Sequence, residues 1–191
     1  MTTMMNGVDA GKLMETVKAV TAEARLGRFQ FRLENRWIDG GENRSRIDGY
    51  LGADQEMRHA SPFELVNDEP PVLLGADRAP NPVEYVLHAL AGCLTTSLVY
   101  HAAARGITVR SVATRLEGDL DLRGFLGISA DVRRGFQTVR VVFDVDADTD
   151  AAGKAELVAM AQKYSPVFDI VTHGLPVQCV LGAGAPAAVA A

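Results

Sequence analysis

The chain predicts an α+β protein with a mainly antiparallel sheet. Three patterns point there. Apolar and polar residues alternate in "GRFQFRLENRWIDG" and again in "TVRVVFDVDAD", the period of a strand with one wet face. One long apolar helical segment, "NPVEYVLHALAGCLTTSLVYHAAARG", lies between them. The order of elements is strands, helix, hairpin, helix, strand, which is not the regular alternation of a parallel α/β fold.

Taken in order, residues 9–25 read as a helix, with Leu13, Val17, Val20 and Ala24 as a narrow apolar stripe. Phe29, Phe31 and Leu33 then alternate with Gln30, Arg32 and Glu34 in a strand that ends at Gly40-Gly41, and "RSRIDGYLG" is its hairpin partner. Residues 54–80 carry prolines at 62, 70, 71 and 80 and read as a long irregular loop. The central helix spans 82–105, "ITVRSVATRLEGDLDL" is a strand, and "RGFLGI" is a turn or flap. In "TVRVVFDVDAD" Val139, Val141, Phe143 and Val145 share a face. A second helix over 150–163 stops at Ser165-Pro166, because the residue before proline avoids the helical region. "LPVQCVL" reads as a short closing strand and "GAGAPAAVAA" as a frayed tail.

Composition narrows the function. With 191 residues the chain has room for one cored domain. A net charge of −5 with no basic block argues against nucleic acid as a partner. Two cysteines make no disulfide framework and point to a reducing compartment. The start "MTTMMNGVDAGK" has no secretory signal pattern, and no uninterrupted apolar run reaches the ~18 residues of a membrane span. A cytoplasmic protein that does not engage membranes is the expectation. No internal repeat, phosphate-binding glycine loop or zinc-spaced His/Cys set occurs, so no metal or bound cofactor is expected.

The central helix is the best specified element. Asn81 suits the N-cap, Pro82 the first helical position and Glu84 the capping-box position, and Gly106 ends the helix. It would be ~36 Å long. A face runs through Val86, Ala89, Leu90, Cys93, Ser97 and Tyr100, and the small residues Ala89, Ala91, Gly92, Ala102 and Ala103 permit close helix approach. So little polar surface implies burial on nearly all sides, inside the molecule or between two copies. By pattern alone Cys93 is either a small core residue or a reactive thiol. Its mid-helix position is beyond the reach of the helix dipole, so reactivity would need a cation from elsewhere.

The segments "PNPVEYVLHALAGCLTTSLVYHAAARGI", "LEGDLDLRGFLGI" and "YSPVFDIVTHGLPVQCVL" together resemble the osmotically inducible protein C / organic hydroperoxide resistance (OsmC/Ohr) family. The resemblance covers roughly residues 28–182, leaving 1–27 as an N-terminal helical extension and 183–191 as a tail. It implies an OsmC-like fold in which the antiparallel sheets of an intertwined homodimer wrap the long central helices. It also implies a thiol-dependent peroxidase, in which Cys93 attacks an organic hydroperoxide and becomes a sulfenic acid. The family's activating arginine comes from an N-terminal strand or loop. Arg36, Arg44, Arg46, Arg58 and Arg78 are eligible, with Arg78 and Arg36 the leading candidates. Phe125, Leu126 and Phe168 would form apolar substrate walls.

The sequence departs from the family pattern at two places. The family's resolving cysteine is replaced by Ser165, so an external thiol would have to reduce the sulfenate unless Cys179, fourteen residues on, serves instead. Cys179, between Val177 and Leu181, reads as a core residue of the last strand. The acid that lies ten residues before the cysteine in the Ohr branch is Val83 here, whereas Glu84, nine before, matches the broader family. Nine residues turn Glu84 about half a circle from Cys93, so on a straight helix it serves a partner's site or only caps. His59 and His88 could lend positive character, and His101 and Tyr100 lie further along as packing or pocket residues. Two functions remain open: a peroxidase for hydrophobic hydroperoxides, or a non-catalytic family member binding a small apolar or thiol ligand between subunits.

Overall fold

The computed structural model describes residues 4–182. The chain begins with a small hairpin, β1 (Met4–Met5) and β2 (Val8–Asp9), followed by helix α1 (Ala10–Ala22). The first sheet holds β3 (Phe29–Phe31), β4 (Glu34–Asp39), β5 (Glu42–Gly52) and β6 (Gln55–Asn67). The long helix α2 (Pro82–Ala104) leads to strand β7 (Val109–Asp119), the one-turn helix α3 (Leu122–Phe125) and strand β8 (Thr138–Ala147). Helices α4 (Ala151–Tyr164) and α5 (Pro166–His173) complete the regular structure. All strand pairs are antiparallel. The α+β reading with a long central helix therefore holds.

Four details differ from the sequence reading. The first strand is split into β3 and β4, both on the same edge of β5. Phe31 faces Tyr50 and Glu34 faces Arg46, so two residues on one side oppose three on the other, and the strand kinks at Arg32-Leu33. Much of the expected loop over 54–80 is the 13-residue strand β6. Pro62 argued against a strand, but Ile47 pairs with Phe63 and Gly49 with Arg58, so residues 59–62 bulge opposite Asp48 and the proline removes no ladder bond. Gly49 fits there because a Cβ would meet the carbonyl oxygen of Met57 at 2.1 Å. After α4 stops at Ser165, the chain restarts at once as α5, with Pro166 at its first position and Ser165 as its cap. The expected closing strand "LPVQCVL" does not form. Cys179 in it is exposed, not core, because no strand among the described residues pairs with it. The tail at 183–191 lies outside the described residues.

The core sits in the second half of the chain. Leu90, Leu94, Leu98 and Ala102 line one face of α2 and are buried against Leu157 and Ala161 of α4, with Val112 and Leu116 of β7 and Val139, Val141, Phe143 and Val145 of β8 packed around them. Their charged neighbours form the wet face, where Arg110 pairs with Asp146 at 2.6 Å across the β7–β8 hairpin. Among the described residues, α2 alone is long and apolar enough to cross a bilayer by length and composition. Here one face of it is a core seam.

The first sheet has no such core. Its fully buried residues are Glu42, Ser45 and Gly52, whereas Phe31 and Trp37 are 76% and 70% exposed. The opposite face of α2 is also uncovered. Val86, Ala89, Gly92, Thr96 and Tyr100 are exposed, and a Cβ added at Gly92 would meet nothing within 4 Å. The helix expected to be buried on nearly all sides is covered by its own chain on one side only.

Leu98 is completely buried in the α2–α4 seam. Leu98→Ala should lower the unfolding free energy by about 2–5 kcal/mol, the usual cost of a leucine-sized cavity, measured by urea denaturation.

Candidate active site

Helix α2 begins with a complete capping box. The Asn81 side chain accepts from the Glu84 N–H at 2.9 Å, and the Glu84 carboxylate accepts from the Asn81 N–H at 2.8 Å. Within its own chain Glu84 is thus a cap. It lies half a helical turn round from Cys93, as the spacing requires.

Cys93 is a half-buried free thiol. Its neighbours at i−4, i+3 and i+7, Ala89, Thr96 and Tyr100, are exposed, whereas Leu90 at i−3 is buried and Ser97 at i+4 half-buried. It sits in the middle of the uncovered face of α2, not in the leucine seam.

The segment before α2 is held by two carboxylates that the sequence reading passed over. Asp68 is 2% exposed and accepts from the backbone N–H groups of Glu69, Ala76 and Arg78 at 2.8, 3.2 and 3.1 Å. The N–H of Arg78 is the largest of the causes that hold its carboxyl below the usual range. Glu42, 5% exposed, accepts from Arg44 at 2.8 Å and from Arg78 at 3.0 Å, and the Arg44 hydrogen bonds lead in depressing its titration. Tyr85 of α2 donates to the Val66 carbonyl at 2.9 Å. An aspartate placed just before Pro70, Pro71 and Gly75 was the available signal, since such side chains cap turns.

The candidate arginines are therefore placed differently. Arg78 is anchored to Glu42 at the entrance to α2, with its side chain two-thirds exposed. Arg36 stands on β4 opposite Arg44, exposed. Arg46 pairs with Asp48 and Glu64. His59 packs at a tilt against Phe63 and Tyr50 in the first sheet. His101 packs on Tyr164 with ring centroids 4.7 Å apart, and burial pushes its titration down.

A cavity of about 580 Å³ opens beside the start of α2. Val83, Glu84, Leu87, Leu120, Phe125 and Phe136 are among its walls. Phe136 lies against Gly118, where a Cβ would come within 2.5 Å of the ring. Glu69 and Arg134 add polar groups. Burial, with Asp68 and Glu84 nearby, raises the Glu69 titration. Of the expected site residues, the single chain brings together Glu84 and Phe125. Leu126 is exposed beside α3, and Phe168 packs against the core from α5. Cys93 lines neither this cavity nor the shallower one formed by Pro80, Glu84, Tyr85 and His88.

Ser165 is buried, and its hydroxyl accepts from the Phe168 N–H at 3.1 Å. It is the N-cap of α5, a role in which serine is typically worth about 1 kcal/mol over alanine.

The backbone bonds to Asp68 generate a pH prediction. A carboxyl whose folded pKa is depressed stabilises the fold above its ordinary pKa, and that stability is lost as pH falls through the folded value. Asp68→Asn should therefore be less stable at neutral pH and lose less on acidification below about pH 4 than the parent. Denaturation midpoints across pH 2–7 would show the flatter profile, and amide exchange at Ala76 and Arg78 should quicken.

A family model described as OsmC-like protein matches residues 75–180, more than half of the chain. The match includes Arg78, Glu84, Cys93 and Ser165 and leaves out Arg36. Comparison with curated proteins finds no match. Among solved structures, an OsmC-like protein of Mycoplasma pneumoniae aligns with a TM-score of 0.59 at 12% identity, over 75% of this chain and 88% of its own. A candidate osmotic stress induced and detoxification response protein of Psychrobacter arcticus gives 0.56 at 15%, over 74% and 88%. An OsmC-like protein of unknown function from Vibrio cholerae gives 0.53 at 11%, over 75% and 94%. At these identities the likeness is one of fold.

Proposed function

The chain belongs to the OsmC-like family, and from that premise we propose that it is a homodimeric, cytoplasmic thiol peroxidase that reduces organic hydroperoxides at Cys93. The observation that carries the proposal is the position of the thiol. It stands half-buried in the centre of an uncovered, largely apolar helix face, where a second chain would close a site around it. The exposed Phe31 and Trp37 of the coreless first sheet call for the same covering chain.

In this reading the Cys93 thiolate attacks the terminal peroxide oxygen. The O–O bond breaks, the alcohol leaves with a proton, and Cys93 is left as sulfenic acid. A cation must hold the thiolate, and Arg78 or Arg36 would supply it. Glu84 faces away from its own thiol and, with Val83, Leu87 and Phe125, presents an acid and apolar wall to a partner's Cys93. Leu126, next to Phe125 in sequence, would extend that wall, whereas Phe168 packs on the core. Ser165 is committed to capping and has no sulfur, so an external thiol completes the cycle.

Reduced protein given one equivalent of cumene hydroperoxide with dimedone should acquire one adduct, at Cys93, and Cys93→Ser should acquire none. A Cys93–Cys179 disulfide would replace the external thiol with an internal one. Absence of any adduct would leave the alternative of a ligand-binding protein that does no peroxide chemistry. Sedimentation equilibrium should give twice the 20.4 kDa mass of the chain, and a monomer would remove the shared site.

A further inference from the structure

The N-terminal hairpin and α1 precede the residues matched by the family model and play no part in the peroxidase reading. They are clamped to the body of the protein. The Asn6 side chain donates to the Ile107 carbonyl at 2.9 Å and accepts from the Val109 N–H at 2.8 Å, which fastens the hairpin to the turn between α2 and β7. Asn6 and Gly7 make that tight turn with φ of 54° and 77°. From it α1 starts under an Asp9 cap and crosses the later half of α2.

Between the two helices lies a depression of about 560 Å³, within the range of small-molecule sites. Asp9, Lys12 and Thr16 line it from the extension, and Thr95, Thr96 and Tyr100 from α2. Thr96 and Tyr100 belong to the face that carries Cys93. Thr96 is three residues on, so its side chain neighbours the thiol, with roughly 5–6 Å between Cβ atoms. The lining holds an ammonium, a carboxylate and four hydroxyls. The cavity at the other end of α2 is mainly apolar.

We infer that this depression receives the reductant, and that the reductant is a small zwitterionic thiol whose carboxylate meets Lys12 and whose ammonium meets Asp9. The inference rests on the peroxidase reading for its role in turnover. The chemistry balances with two such thiols. The first thiolate attacks the sulfenic sulfur and forms a mixed disulfide with Cys93, the S–O bond breaks, and the departing hydroxide takes up the proton that the thiol had released and leaves as water. The second attacks the small-molecule sulfur, regenerates the Cys93 thiolate and leaves as the symmetric disulfide.

The test uses the full chain and does not depend on peroxide. Reduced protein is mixed with cystine, cystamine or 3,3′-dithiodipropionate, and formation of the Cys93 mixed disulfide is timed by mass spectrometry. In the parent, cystine should react faster than either analogue, whose halves carry only an ammonium or only a carboxylate. Lys12→Glu should slow cystine and dithiodipropionate roughly fivefold, the size of one exposed ion pair, and leave cystamine no slower. Circular dichroism confirms that the variant is folded. Equal rates for the three disulfides, or equal slowing of all three in Lys12→Glu, would overturn the site. If the selectivity holds while cumene hydroperoxide leaves Cys93 unmodified, the thiol site stands and the peroxidase reading falls.

Discussion

The polar joint between the first sheet and the central helix is the constraint on which the rest of this structure depends. The sheet offers no apolar seam to α2, so it cannot be held to the body of its own chain by hydrophobic contact. Asp68 gathers three backbone N–H groups, Glu42 takes Arg78, and Tyr85 reaches the Val66 carbonyl. These bonds fix where the chain leaves β6 and where α2 begins. They therefore set how the sheet projects away from the core and which face of α2 it leaves bare. Buried carboxylates suit this task because each needs several donors at once, and a loop closed on itself supplies them.

How much of this was legible in the sequence depended on the range of the interaction. The limits of α2 were, because Asn81, Pro82 and Glu84 encode a cap within four residues. The inward face of β8 was, because strand period and core face coincide at Val139, Val141, Phe143 and Val145. Strand β6 was not, because Pro62 is forbidden in a regular ladder and is allowed here only by a bulge that β5 imposes from outside. Helix α5 was hidden by the same residue type in the opposite role, because Pro166 ends α4, as its sequence indicates, and also occupies the first position of the next helix. The site was legible only in part. Cys93 stood out, but the anchoring of Arg78 depends on Glu42, thirty-six residues away in sequence, and no local pattern announces such a pair.

The two ends of α2 differ in character. At the first end the walls are leucine, valine and phenylalanine beside the capping glutamate. At the other, Asp9, Lys12 and Thr16 of the extension face Thr95, Thr96 and Tyr100 of the helix itself. The thiol of Cys93 stands midway along the helix, between the two.

The bulge at residues 59–62 has one more consequence. Among the described residues strand β6 pairs on one side only, with β5, and its outer edge would otherwise offer thirteen residues of unmatched backbone to any extended peptide. Proline removes a donor in the middle of that edge and the bulge bends it, so an incoming strand finds two short, misaligned stretches in place of one long template. A sheet that carries exposed aromatic residues is thereby guarded against runaway edge-to-edge stacking.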